Sequence, residues 1–167
     1  TQHDLGIVTY RNFFEHFDMS LSKENVNQIL DLWNQAVKPN DEMVEFVSSF
    51  EEKFGSVAFL SNIGYEHHKY LNNICPKLFK NARTHFSFEV GARKPSKLYF
   101  QSFIKELEYY RDEKFNEHFA LLLIDDREDN CEMATRLGFR SFQFSLKDDL
   151  NNKEKIKQMK SIMERYQ

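Results

Sequence analysis

The sequence lacks three features that would each define a class of protein. Its 167 residues include only two cysteines, Cys75 and Cys131, which excludes a disulfide framework and indicates a reducing compartment. No apolar run approaches the length needed to cross a bilayer. The net charge is −3 and no dense stripe of lysine and arginine occurs, which argues against nucleic-acid binding. We therefore expect a cytoplasmic protein with no membrane and no nucleic-acid partner.

The chain does contain two apolar runs that each stop at polar residues. Residues 56–60 lead to Ser61-Asn62, and residues 119–124 lead to Asp125-Asp126. Continuous apolar runs are typical of strands in a parallel sheet that is covered on both faces. Ligands bind beyond the carboxyl ends of such strands. We therefore predict that the serine and the aspartates face one crevice.

A lysine lies between these two runs. Lys94 precedes Pro95, and residues 96–110 have helical apolar spacing, so Lys94 is predicted at the start of a helix. Positive charge and backbone amides at such a position favour an anion. The steps from Ser61 to Lys94 and from Lys94 to Asp126 each have the length of one strand-plus-helix unit.

These residue types fit phosphate chemistry. A lysine neutralises a phosphate monoester, a hydroxyl and amides hold its oxygens, and carboxylates hold a bridging Mg²⁺. Each part has a plainer alternative: Asp125-Asp126 as a cap for a helix over 127–137, Ser61-Asn62 as a turn, and Lys94 as a solvated surface charge. The ordered set of all three favours a phosphate site.

Three segments resemble known motifs. "VAFLSNIGYEH", "FSFEVGARKPSKLYF" and "LLLIDDREDNCEMATRLGF" resemble the second, third and fourth motifs of the haloacid dehalogenase-like (HAD) hydrolases. "LSKENVNQILDLWNQAVKPNDEMVEF" resembles the end of the helical cap in the branch of sugar-phosphate phosphatases and the phosphatase domain of soluble epoxide hydrolases. The resemblance covers about residues 5–145. It implies an α/β fold with a Rossmann-like parallel sheet, in which residues 1–38 are the C-terminal part of a truncated cap and residues 39–167 a core without its first strand.

The resemblance also implies roles for single residues. Ser61 would be the phosphate-binding hydroxyl, assisted by the Asn62 backbone, and Lys94 would neutralise both phosphate and nucleophile. Asp126 would ligate Mg²⁺ directly, with Asp125 and Asn130 in or near the outer shell of the metal. Ser61 and Lys94 are thus the expected catalytic residues of this chain.

The first motif of the family, an aspartate nucleophile with a second aspartate two residues later, is not visible. The nearest candidate is Asp4 in "HDLGIV". Only three residues precede Asp4, and "LGIVTYRNFFEHF" resembles a cap segment instead, so we favour the cap interpretation. The chain also lacks an initiator Met at Thr1. We expect it to be the later part of a longer protein.

In the family, the first strand lies between the strands that end at Ser61 and Asp125. An N-terminal segment or a second chain would supply it, or it is lost in a non-catalytic relative. We expect a Mg²⁺-dependent phosphatase acting on a small phosphorylated metabolite through an aspartyl-phosphate on a residue outside this chain, with the chain alone inactive. The alternative is a catalytically inactive HAD-like binding or interaction domain. A phospho-receiver domain is disfavoured, because its acidic pair precedes its lysine.

Apolar spacing also predicts the remaining elements. Helices are expected over about residues 8–37, 43–54, 65–71 and 147–166, with Asn40 as a cap, and strands over 84–88 and 139–144. His67-His68 could suggest a metal pair, but adjacent helical residues point in different directions.

Overall fold

The chain is α/β, as predicted, and divides into two compact units. The computed structural model describes residues 2–54, 57–80, 82–109, 121–145 and 152–164. One unit is Thr1–Arg93 and the other is Lys94–Gln167. Among the described residues, no helix is both long and apolar enough to cross a membrane.

The first unit opens with helices, as the spacing over residues 8–37 predicts. These are the 3-10 turn His3–Leu5, α1 (Tyr10–Phe17) and α2 (Lys23–Gln35). Thr9 caps α1, its Oγ1 accepting the Asn12 N–H at 3.0 Å. Ser22 caps α2 in the same way, its Oγ accepting the Asn25 N–H at 3.1 Å. Each hydroxyl satisfies an amide that has no partner within its own helix.

The rest of the first unit includes a two-stranded parallel sheet. The elements of this part of the chain are α3 (Asp41–Phe54), β1 (Ala58–Ser61), α4 (Tyr65–Ile74), the 3-10 turn Pro76–Leu78, β2 (Arg83–Phe86) and α5 (Ser87–Val90). Asn40 caps α3 as predicted, its Oδ1 accepting the Met43 N–H at 2.9 Å. In the register of the sheet, Ser61 lies opposite Phe86. Phe86 packs in a core with Ile63 and Leu71, which anchors both sides of the Ser61 loop.

The second unit repeats the strand–helix pattern. Its elements are α6 (Lys97–Tyr109), β3 (Leu122–Asp125), α7 (Glu128–Arg136), β4 (Arg140–Gln143) and α8 (Asn152–Glu164). β3 and β4 run parallel, with Asp125 opposite Gln143. Ile156 and Met159 of the predicted apolar stripe on α8 are buried. Residues 110–117, whose polar and charged sequence favours a loop, lie outside the described residues, as do Leu150 and Tyr166 of the stripe.

Two expectations from the sequence are wrong in detail. The strand predicted over residues 84–88 ends at Phe86, because Ser87–Val90 turns into α5. Gly91 ends that helix in the left-handed region at φ +66°. Trp33, whose helical spacing with Val26, Ile29 and Leu30 favours a place in the core, is 42% exposed. Its indole instead stacks on the His67 ring, with a centroid distance of 5.9 Å.

Tyr10 is the centre of an aromatic cluster that joins α1, α2 and α4. Its ring centroid lies 5.1 Å from that of Trp33 and 5.3 Å from that of His67. Its backbone N–H donates to Glu66 Oε1 at 3.0 Å. Burial raises the pKa of Tyr10 to about 12, so its hydroxyl stays protonated at neutral pH. The cluster therefore holds the N-terminal helices against the helix that follows Ser61.

Gly6 allows the N-terminal turn to approach α5 closely. Its φ is +70°, and a Cβ at this position would lie 2.3 Å from the Phe88 carbonyl oxygen. Gly91 has a similar φ of +66° but nothing within 4 Å of its Cβ position. A substitution at Gly91 therefore tests only the free-energy cost of a left-handed backbone, whereas one at Gly6 adds the cost of a steric clash.

We predict that Gly6→Ala destabilises the protein more than Gly91→Ala. Both variants place a side chain in the left-handed region, which costs about 1–2 kcal/mol. Gly6→Ala must in addition move a backbone carbonyl, which should add about 1–3 kcal/mol. Urea unfolding followed by far-UV circular dichroism measures the difference, and equal losses in the two variants would contradict the packing described.

Candidate functional site

A buried ion pair lies at the carboxyl end of β3. Lys94 Nζ donates to Asp125 Oδ2, and each residue is only 8% exposed. Lys94 is therefore no solvated surface charge. Two ions withdrawn from water require both each other and further hydrogen bonds to be tolerated.

Asp125 receives those further bonds on its second oxygen. Its Oδ1 accepts the Arg127 N–H at 3.0 Å and the Asn130 side-chain amide at 2.8 Å. The Arg127 bond forms the turn into α7, so the turn in the plainer alternative is present. The cap is not, because the N-cap residue of α7 is Arg127 and no side chain caps the helix. With both oxygens engaged, Asp125 matches an orienting role more closely than that of a direct metal ligand.

Asp126, by contrast, has an exposed side chain. Its backbone carbonyl accepts the Gln143 side-chain amide at 3.1 Å, which ties the residue to the end of β4. Asp129 is a weaker candidate ligand, because its carboxylate takes two bonds from Arg127, at 2.9 and 2.6 Å. The hydrogen bond from Arg127 lowers the pKa of Asp129. The role of Asp126 as the direct ligand of a cation stays a prediction.

Asn130 supplies an observation that tests the fit of Mg²⁺. The residue is 2% exposed, and its Oδ1 has no hydrogen-bond partner within the described part of the chain. A buried acceptor without a donor is costly, and a water bound to a metal would satisfy it. No group of three histidine, cysteine, aspartate or glutamate side chains able to hold a metal occurs among the described residues. The donor set therefore fits part of a Mg²⁺ shell, with further oxygen ligands required from elsewhere.

Ser61 and Asn62 belong to the first unit. Ser61 is the last residue of β1, and both residues are half-buried. They open a loop that reaches α4 at Tyr65. Lys94, Asp125, Asp126 and Asn130 belong to the second unit. The meeting of the two sets at one phosphate, and the catalytic roles of Ser61 and Lys94, stay predictions.

Asp4 does not end a strand in the structure. It lies in the 3-10 turn and pairs with His3 at 2.9 Å and Arg93 at 3.4 Å. Arg93 thus contacts the N-terminal turn, consistent with an ordering role beside Lys94.

The two adjacent histidines have separate surroundings. His67 Nε2 lies 3.2 Å from the Trp33 carbonyl oxygen. The His68 ring packs against Phe79 and Phe86, with centroid distances of 5.4 and 4.7 Å. They do not form a metal pair.

Cys131 is buried beside Asp125. Burial is the main cause that raises the pKa of its thiol, and the nearby Asp125 charge adds to it. Its packing role agrees with the prediction of a small buried residue. The sequence interpretation missed Ser87, which is fully buried directly after β2. The one available signal was a small hydroxyl residue between two phenylalanines.

Solved structures share this fold. No family model and no curated protein matches the sequence. The HAD family enzyme BT-2542 of Bacteroides thetaiotaomicron, in complex with magnesium and inorganic phosphate, aligns with a TM-score of 0.70 and 22% identity over 90% of this chain and 76% of that chain. A predicted HAD-like family hydrolase from Porphyromonas gingivalis aligns with a TM-score of 0.63 and 18% identity over 97% and 77% of the two chains.

At these identities the likeness is one of fold. It confirms the resemblance to the HAD-like hydrolases at that level: the chain has their α/β fold with parallel strands. The helical cap, the branch of the superfamily and the boundary between residues 38 and 39 stay predictions.

The ion pair makes a prediction about stability. Lys94→Met should cost about 3–5 kcal/mol, because it leaves the Asp125 charge buried without its cation. Lys97→Met, the same substitution at an exposed position of α6, should change stability by less than about 0.5 kcal/mol. Guanidinium unfolding of both variants measures this, and a Lys94→Met variant as stable as Lys97→Met would contradict a buried pair.

Proposed function

We propose that the intact protein is a HAD-type hydrolase, specifically a Mg²⁺-dependent phosphatase acting on a small phosphorylated metabolite. The observation that carries this proposal is the Lys94–Asp125–Asn130 network at the end of β3, next to the exposed Asp126. It combines a buried cation, an oriented carboxylate and an acceptor without a donor. A buried cation and oxygen ligands are groups that a site for a phosphate and its metal uses.

In this proposal each residue has one task. Lys94 neutralises charge on the phosphate and on the nucleophile, while the Ser61 hydroxyl and the Asn62 backbone N–H hold the phosphate oxygens. Asp126 would bind Mg²⁺ directly, and Asp125 and Asn130 would orient its shell. The metal would supply charge stabilisation for the transferred phosphoryl group.

The nucleophile is an aspartate outside the 167 residues, and it forms the aspartyl-phosphate that water then hydrolyses. Support for phosphate as the bound group comes from BT-2542, which has been crystallised with magnesium and inorganic phosphate. The chain covers about three quarters of that enzyme, so the proposal concerns the intact protein and not this chain alone.

One observation favours a second candidate, a non-catalytic HAD-like binding domain. No strand-terminal Asp-x-Asp occurs in the sequence, and Asp4 lies in a 3-10 turn. The residues upstream of Thr1 discriminate between the two candidates. A strand that ends in aspartate supports the phosphatase, and its absence supports the binding domain.

We further propose that a strand from an N-terminal segment or a second chain pairs with β3. The Leu121 and Asp125 carbonyls each accept an N–H from the β4 side at 2.8 Å. Alternate residues of a parallel ladder face the same neighbour, so the backbone groups of Leu122 and Ile124 face the opposite edge. Among the described residues no strand covers that edge. Buried backbone groups require partners, so a further strand is expected there.

The second edge of β1 also offers backbone groups to a further strand. The Val57 carbonyl accepts the Arg83 N–H at 2.9 Å, so Ala58 and Leu60 face away from β2. The part of the chain that the structure describes has no strand on that side. β1 therefore has room for a parallel strand along its second edge.

Phosphatase activity is tested with the full-length protein and p-nitrophenyl phosphate. We expect turnover only with Mg²⁺, and a loss of about 100-fold or more in Asp126→Ala. Asp129→Ala is the matched control, because that carboxylate is engaged by Arg127, and it should retain most activity. Metal-independent turnover, or an unaffected Asp126→Ala variant, would remove the proposed metal role.

Whether a further strand pairs with β3 is tested by amide hydrogen exchange. In the 167-residue chain, the amides of Leu122 and Ile124 should exchange at least about tenfold faster than that of Leu123, which faces β4. In the full-length protein, all three should be protected. Equal protection in the shorter chain would show that the edge of β3 needs no further strand.

A further inference from the structure

A single buried hydroxyl fixes the loop that carries Ser61 and Asn62. Ser87 Oγ accepts the Ile63 N–H at 3.0 Å and donates to the Ile63 carbonyl oxygen at 3.2 Å. Ser87 is fully buried and is the first residue of α5, directly after β2. The paired register of β1 and β2 ends at Ser61 and Phe86, so the hydroxyl continues the contact between the two segments beyond the sheet.

This contact sets the orientation of two peptide groups. The Ile63 N–H belongs to the peptide shared with Asn62, and the Ile63 carbonyl belongs to the peptide shared with Gly64. Both groups lie in a buried residue, where a lost hydrogen bond is not replaced by solvent. Ser87 therefore restrains the backbone on both sides of Ile63.

The far end of the loop is held by the N-terminal residues. A Cβ on Gly64 would lie 3.2 Å from His3 Cδ2 and 3.4 Å from Tyr10 Cε2, so only a residue without a side chain fits comfortably. The bond from the Tyr10 N–H to Glu66 holds the first turn of α4. Together with this packing, the hydroxyl of Ser87 restrains the peptides between Asn62 and Gly64.

We infer that Ser87 is a positioning residue of the phosphate site. Its hydroxyl holds the Ile63 peptides so that the Ser61 side chain and the Asn62 N–H are directed at a phosphate. Amides aimed in advance bind an anion without a cost of reorganisation when it arrives. The inference rests on the proposed function, because it assumes that Ser61 and Asn62 bind phosphate.

The test uses three variants of the full-length protein. Ser87→Ala removes the hydroxyl, and Ser87→Cys keeps its shape with a weaker hydrogen-bonding group. Ser49→Ala is the matched control, because that hydroxyl donates only to the Phe46 carbonyl of its own helix, at 2.9 Å. Binding of inorganic phosphate is followed by ³¹P NMR, binding of Mg²⁺ by calorimetry, and the Ile63 amide by ¹⁵N NMR.

We expect the phosphate Kd to rise about tenfold in Ser87→Ala, as the loss of one net hydrogen bond predicts, and by less in Ser87→Cys. The Ile63 amide proton should move upfield in both. Mg²⁺ affinity should not change, and Ser49→Ala should bind phosphate as the wild type does. The KM for p-nitrophenyl phosphate should rise more than kcat falls.

An unchanged phosphate Kd together with a shifted Ile63 amide would overturn the inference, since Ser87 would then only stabilise the fold. If Ser87→Ala does not fold, Ser87→Cys decides by the same comparison. Ser61→Ala separates this failure from a failure of the proposed function. If the wild type binds no phosphate, or Ser61→Ala binds it equally well, the proposed site is wrong and the inference falls with it.

Discussion

The buried pair of Lys94 and Asp125 is the interaction on which the second unit depends. The ammonium of Lys94 and the carboxylate of Asp125 are both buried, and Lys94 donates to one carboxylate oxygen. The Arg127 N–H and the Asn130 side-chain amide donate to the other oxygen. Replacing such a pair by apolar residues of similar size often leaves stability unchanged or improves it. Fold stability alone therefore does not explain this pair, which is consistent with the proposed function.

The two sheets impose a second constraint. Each has two parallel strands that are paired along one edge within the described residues, and the second edges of β1 and β3 face a side without a strand there. Two-stranded parallel sheets are poorly stable by themselves, because half of the ladder is missing. The same two strands carry Ser61 and Asp125 at their ends. A further strand along either edge would therefore stabilise the strand that carries one of these predicted site residues.

Local patterns were sufficient for most elements and for several site residues. Short apolar runs located β1 and β3, and Asn40 was identified as a cap because a polar residue after proline precedes a helical spacing. Predictions from the sequence were wrong at positions that contact a distant part of the chain. β2 ends at Phe86, and the hydroxyl of the next residue, Ser87, bonds to Ile63, 24 positions away. Trp33 is 42% exposed, and its stacking partner His67 comes from another helix.

The sequence by itself determined which residues can bear the chemistry and at which ends of strands they lie, because apolar periodicity and turn residues act over a few neighbours. Only the tertiary structure determined how deeply these residues are buried and which hydrogen bonds they form. It buried Lys94, engaged both oxygens of Asp125 and left the Asn130 oxygen without a donor among the described residues. Burial and hydrogen bonding between residues 31 positions apart, as in the Lys94–Asp125 pair, depend on how the chain packs, which no local pattern encodes.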